Sequence, residues 1–207
     1  LYFTTCGWMM WKWLVSVVDS KASIVLYDGY TMYKKEDLLL KIAEKEKITL
    51  FGVSAKYIDH LKNENYNSKN LDLSSIKIIA STGSPLAEES FKYVYDNIKQ
   101  DVHLASIAGG TDMVGCLVLG NLYSNVYKGE IQGQSLAIDI DVFTEDGKST
   151  KDGEKGELVV KQPFPSMPVK FWGDDTGEKY HNAYFNRFKN IWHHGDFIER
   201  TSNMDLS

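Results

Sequence analysis

The chain has 207 residues, of which 43% are hydrophobic and 25% charged, and carries a formal net charge of −5. The acidic balance and scattered lysines exclude a general nucleic-acid surface, which needs a basic stripe. Two cysteines, Cys6 and Cys116, exclude a disulfide-rich framework, and the absence of any CxxC excludes that zinc pattern.

These proportions describe an ordinary soluble globular chain. Both cysteines sit among apolar neighbours and read as buried free thiols in a reducing, cytoplasmic compartment. Residues 8–18 are rich in Trp, Met and Val, but Lys12, Asp19 and Lys21 break the run well short of the ~20 residues a membrane span needs. His193 and His194 are adjacent, so on a strand they face opposite ways and do not share a metal. The chain begins at Leu1 and enters an apolar segment directly, which reads as the interior of a longer protein.

In chain order, residues 1–27 read as a loop, an aromatic-rich helix and a strand. Trp8, Trp11, Leu14, Val15 and Val18 recur at helical spacing, and Ser23 to Tyr27 is a buried-strand run stopped by Asp28-Gly29. Residues 35–47 form an amphipathic helix with a stripe of Leu38, Leu39, Ile42 and Ala43. Thr49 to Val53 is a strand. Ser54 caps a helix from Ala55 to about Asn63, and residues 63–75 form a polar loop. Ile76 to Ser81 is a strand, Thr82 to Pro85 a turn, and Leu86 to Lys99 a helix with Glu88 and Glu89 at its favoured end. Val102 to Ile107 is the next strand. It empties into Ala108-Gly109-Gly110-Thr111-Asp112. Such a loop suits phosphate and Mg²⁺, because Thr111 offers a hydroxyl and Asp112 a carboxylate; a plain surface turn uses the same residues.

Strand and helix alternate, which predicts an α/β fold with a parallel-rich sheet and packed helices. Loops after neighbouring parallel strands open on one edge, so 82–85 and 108–112 should converge there. After Met113 the texture changes to short strands: Val114–Leu119, the alternating Ala137–Phe143, a hairpin turn at 145–148, Gly156–Lys161, a Pro-rich extended loop at 163–168, and a last strand near Phe197–Arg200 entered through Gly195-Asp196. This half reads as a smaller antiparallel, barrel-like subdomain or a curled sheet. The expected division is 1–113, α/β, and 114–207, β-rich.

Four segments, in order, resemble the adenylate-forming enzymes, the family of acyl-CoA synthetases, luciferases and peptide-synthetase adenylation domains. Ser81 to Pro85 resembles their small-residue loop beside adenine. Gly109 to Asp112 resembles their G-x-T-E segment, with Asp for Glu. Gly156-Glu157-Leu158 resembles their G-E-L strand, and His194-Gly195-Asp196 their T-G-D segment. Phe3 to Trp11, Tyr27 to Gly29, Ala108 to Asp112 and Trp192 to Asp196 are similar to the branch that activates acetoacetate.

The resemblance implies ATP, Mg²⁺ and CoA as partners of a short acid such as acetoacetate, with no nucleic acid and no membrane. It implies that Gly83, Ser84 and Pro85 line the adenine face, that Thr111 bonds the α-phosphate, that Asp112 takes the Mg²⁺-linked role, and that Asp196 accepts from the ribose hydroxyls. Thr111 and Asp112 are then the catalytic pair. Trp8, Met9, Met10 and Gly109 would border the acyl group or pantetheine channel. Acetate-activating relatives carry Trp at the position of Gly109, so glycine there implies a roomier acyl pocket. The family's phosphate loop would lie upstream of residue 1 and its lysine-bearing lid downstream, and Met204 to Ser207 replace its Gly-Arg continuation. The expectation is that these residues alone bind AMP weakly and do not complete adenylation. A synthetase for another short acid, and a non-catalytic binding or scaffolding module that keeps the fold, are the alternatives.

Overall fold

The computed structural model describes residues 1–203, so the expectation about Met204 to Ser207 lies outside the described residues. Helix α1 (Met9–Ser16) continues into a 3₁₀ turn, Val17–Ser20, that ends at left-handed Lys21. It buries Met9, Met10 and Leu14. Val15 and Val18, expected in the stripe, stay 45% and 51% exposed. The helical spacing is there, but the buried face is turned toward the methionines.

The run Ser23 to Tyr27 is not a strand, and Leu26 is exposed. A strand needs a ladder partner. The edge that such a run would join, on β1 (Leu50–Ser54), is taken by the first three residues. Leu1 O accepts from Gly52 N at 2.9 Å, and Phe3 N donates to Gly52 O at 2.8 Å. Helix α2 (Leu38–Lys45) is shorter than expected. It buries Leu39, Leu40 and Ala43, while Leu38 and Ile42 are half-buried. Each fully buried leucine contributes about 1.5–3 kcal/mol.

Helix α3 (Ala55–Asn63) starts as its cap predicts, with Ser54 Oγ accepting from Tyr57 N at 3.2 Å. Strand β2 (Ile78–Thr82) follows. Helix α4 (Glu88–Tyr93) ends in a π turn, Val94–Ile98, and leads to β3 (His103–Ser106). The three strands are parallel in the order β1-β2-β3. One hydrophobic core runs beneath this sheet from Leu39 and Leu40 to Phe91 and Leu104.

The second half is antiparallel as expected, and among the described residues it does not close into a barrel. Strands β4 (Ala108–Gly110), β5 (Gly115–Leu119) and β6 (Gly133–Gln134) form one three-stranded antiparallel sheet. Strands β7 (Ile140–Phe143), β8 (Lys155–Val160) and β9 (Trp192–Glu199) form another. No ladder joins them among the described residues, because β6 is only two residues long and β7 starts after left-handed Ala137. They share packing instead, with Val118 of β5 and Val142 of β7 in one cluster. The expected last strand at 197–200 is much longer and begins at Trp192; Gly195-Asp196 lies inside it, near a register shift against β8.

One helix has no counterpart in the expectations: α5 (Glu178–Tyr184). Buried Asp174 starts it by accepting from Tyr180 N at 2.9 Å and Lys179 N at 3.2 Å. The Tyr180 N–H above all holds that carboxyl below its usual range. No helix of the described residues is long and apolar enough to cross a membrane.

Candidate functional site

The parallel order forces β2 and β3 to end side by side. Ile107 N donates to Ser81 O, and buried Thr82 Oγ1 donates to Ile107 O, both at 2.9 Å. The turn 82–85 and the segment after Ile107 therefore converge as expected. Together they wall a cavity of about 430 Å³. Gly83 makes the turn at φ +88°, a conformation that glycine adopts without strain. The Trp8 ring lies over it; a Cβ at residue 83 would stand 3.4 Å from the indole edge.

Almost every residue implied by the resemblance lines this one cavity. Gly83, Ser84 and Pro85 form one wall, Gly109 and Thr111 another, and Asp196 with Phe197 and Ile198 a third. Trp8, Met9 and Met10 close it from the start of α1. These groups come from four regions far apart in the chain. Ile131, Val118 and Leu158 supply further apolar lining.

Asp112 is the exception. It does not line the cavity. It sits exposed on the turn after Thr111, and its Oδ2 accepts from Tyr184 OH at 2.5 Å. The segment expected as a loop also differs. Ala108–Gly110 is strand β4, paired with β5. This changes the geometry at Gly109. A Cβ built there would meet Gly115 O at 2.2 Å and Cys116 Cα at 2.6 Å. In this backbone a side chain at 109 collides with β5 rather than entering the cavity, so the glycine is required by strand contact.

Both cysteines were expected to be buried. Cys116 is, and burial pushes its thiol up to about 12. Cys6 is exposed, because residues 4–7 precede α1 as an open turn.

Three neighbours of the candidate site carry no role in the sequence reading, although Glu157 and His194 stand in its motifs. Glu157, inside the G-E-L strand, is 5% exposed and meets Arg187 Nη1 at 2.6 Å and His193 Nε2 at 3.1 Å. Tyr184 and His194 flank the two candidate carboxylates. The His194 imidazole is held below its ordinary value, first by desolvation; nearby Asp196 and a backbone hydrogen bond with Gly109 oppose this. Only the i, i+4 spacing of Tyr180 and Tyr184 hinted at the helix that brings Tyr184 in.

Residues 2–167 match the family model described as "AMP-binding enzyme". Acetoacetyl-coenzyme A synthetase of Rhizobium meliloti (strain 1021) is 52% identical over 201 residues, which is 97% of this chain and 31% of that protein. Acetoacetyl-CoA synthetase of Gallus gallus is 42% identical over 200 residues, 96% of this chain and 30% of that protein. The solved structure of acetoacetyl-CoA synthetase from Streptomyces lividans superposes with a TM-score of 0.93 at 39% identity, over 99% of this chain and 32% of the other. The chain thus spans less than a third of the length of each of these relatives.

Proposed function

The chain belongs to the family of AMP-binding enzymes, and from that premise we propose that it forms part of an acid–thiol ligase that activates acetoacetate. The proposed reaction has two steps. The acetoacetate carboxylate attacks the α-phosphorus of ATP and expels pyrophosphate, giving an acyl-adenylate. The CoA thiol then attacks the acyl carbonyl, and AMP leaves. The observation that carries this reading is the single cavity in which the Gly83–Pro85 turn, Thr111 and Asp196 meet Trp8, Met9 and Met10. The identities to acetoacetyl-CoA synthetases support acetoacetate as the acid.

The roles follow from side-chain chemistry. Gly83, Ser84 and Pro85 take the adenine face. Thr111 donates its hydroxyl to an α-phosphate oxygen, where charge builds during attack and a placed donor is worth most. Asp196, through its carboxyl oxygens, accepts from the ribose hydroxyls. Trp8, Met9 and Met10 contact the acyl group or the pantetheine arm. Gly109 serves this site by letting β4 lie close on β5.

Asp112 fits a Mg²⁺-linked role. Mg²⁺ is held largely by water and substrate phosphates and needs only one or two protein carboxylates. Asp112 offers one, beside Thr111. No group of three metal-ligating side chains exists among the described residues. When bound with the nucleotide, Mg²⁺ would supply positive charge at the phosphates.

The division at Met113, 1–113 and 114–207, belongs to the same proposal. It is supported by the change from parallel to antiparallel pairing after Ser106, although Ala108–Gly110 pairs with the second part. A cytoplasmic step in lipid and ketone-body metabolism is the setting this implies. The test is ATP–pyrophosphate exchange by the complete polypeptide with a panel of short acids. Acetoacetate is expected to give the fastest exchange. Exchange with another acid and none with acetoacetate would overturn the reading.

A further inference from the structure

A row of rings joins the two candidate carboxylates, and none of those rings lines the cavity. At one end, Tyr184 OH donates to Asp112 Oδ2 at 2.5 Å. The Tyr184 ring lies flat on the Trp192 indole, with centroids 3.6 Å apart and planes 12° from parallel. Trp192 is 2% exposed and is gripped edge-on by Phe164 and Phe185. Its Nε1 donates to His194 Nδ1 at 3.3 Å. An indole nitrogen only donates, so His194 Nδ1 accepts and the ring proton sits on Nε2.

That edge of His194 faces the site. Nε2 stands 3.6 Å from Asp196 Oδ2. The ring also hydrogen-bonds the backbone of Gly109, and a Cβ on Gly110 would stand 2.8 Å from its Cε1. An ordinary aromatic core would point its polar atoms anywhere that satisfies them. Here one polar end of the row bonds the Asp112 carboxylate and the other bonds the Gly109 backbone, with Asp196 Oδ2 3.6 Å away.

We propose that Tyr184, Trp192 and His194 are positioning residues that set Asp112 and Asp196 as a pair, so that the phosphate end and the ribose end of a nucleotide are held together rather than independently. This rests on the nucleotide reading of the cavity. Asp112 sits on an exposed turn, and the Tyr184 hydroxyl is what restrains its carboxylate. Asp196 is half exposed, at 52%, and His194 sets the strand that presents it. Loss of either restraint loosens the turn or the strand and, through the shared indole, the other contact too.

The test uses the complete polypeptide with Tyr184→Phe, His194→Gln and the double variant. Tyr184→Phe keeps the stacked ring and removes only the hydroxyl. The measurements are AMP binding by calorimetry, kcat and KM for ATP, and thermal midpoint. Tyr184→Phe is expected to weaken AMP binding about threefold and to raise KM for ATP more than it lowers kcat, at a nearly unchanged midpoint. The double variant is expected to lose no more than the larger single loss, about threefold less than the product of the two, as coupled sites do. Multiplicative losses, or no loss with Tyr184→Phe, would overturn the pairing and leave the nucleotide reading standing. If the unsubstituted protein binds no AMP, the nucleotide reading falls and the pairing falls with it. Should His194→Gln fail to fold, Trp192→Phe takes its place in the cycle.

Discussion

Glu157 on β8 accepts from the Gly195 backbone N–H on β9, at 3.0 Å. The same carboxylate also pairs with Arg187 and His193. It therefore clamps β9 one residue before Asp196. Glu157→Ala leaves the Gly195 N–H, Arg187 and His193 without their acceptor, and should cost about 2–4 kcal/mol. Glu157→Gln keeps an acceptor for the N–H and should cost about half as much. Urea unfolding measures both. An equal cost for the two would mean that charge, and not the hydrogen bond to Gly195, is what matters.

Gly109→Ala is expected to destabilise by about 1–3 kcal/mol, since its Cβ would overlap the backbone of Gly115. Gly133→Ala is the matched control on the same sheet. Nothing lies within 4 Å of a Cβ there, and its effect should stay within about 0.5 kcal/mol. Thermal unfolding of both variants reads the contrast directly.

Thr82→Val removes a buried hydroxyl that ties the two cavity loops and leaves Ile107 O short of a donor. The expected loss is about 1–2 kcal/mol. Binding of AMP should weaken as well, because the tie sets the spacing of the walls; calorimetry checks this, and unaltered binding would sever the link between tie and site.

Thiol labelling should split the two cysteines. Cys6 is exposed and should react with iodoacetamide in the folded protein at mild alkaline pH, whereas Cys116, buried and with its thiol pushed up to about 12, should react only after denaturation. Mass spectrometry gives the count of modified sites in each state. Two modifications in the folded protein would contradict the packing around β5.

Acid should weaken the fold through His194. Its folded-state pKa lies below the ordinary 6.5, chiefly through desolvation. As pH falls past 6.5 the unfolded chain takes up the proton first, so it binds more protons and stability drops with falling pH. Above that value both states are neutral and the slope vanishes. Urea midpoints at about pH 7.5 and about pH 5.5 should differ less in His194→Gln than in the parent. An identical fall in both would assign the acid sensitivity to other groups.

Much of the α/β half was legible because its signals are local. Each parallel strand is an apolar run, and Ser54 announces α3 through a hydrogen bond only three residues long. The cavity was legible as separate segments, since each follows one of two neighbouring parallel strands and so opens on the same edge. What stayed hidden depends on distant partners. Ser23 to Tyr27 has the composition of a strand, but Leu1 to Phe3 hold the edge of β1. The contact between Tyr184 and Asp112 spans 72 positions and no periodicity encodes it. The antiparallel pairing of the second half was legible and its closure was not, for a similar reason: alternation marks strands, but closure depends on which edges find each other. At Gly109 the residue was noticed and its direction was not, because only the register of β4 on β5 says where a Cβ would point.

The bare backbone contact between Gly109 and Gly115 makes one side of the cavity incompressible. No rotamer there can swing to admit a longer or bulkier guest. Any adjustment of shape then falls to flexible lining, where unbranched Met9 and Met10 can re-fold around different outlines. Anyone seeking to alter the shape of this cavity should change the opening turn of α1 and leave the strand untouched.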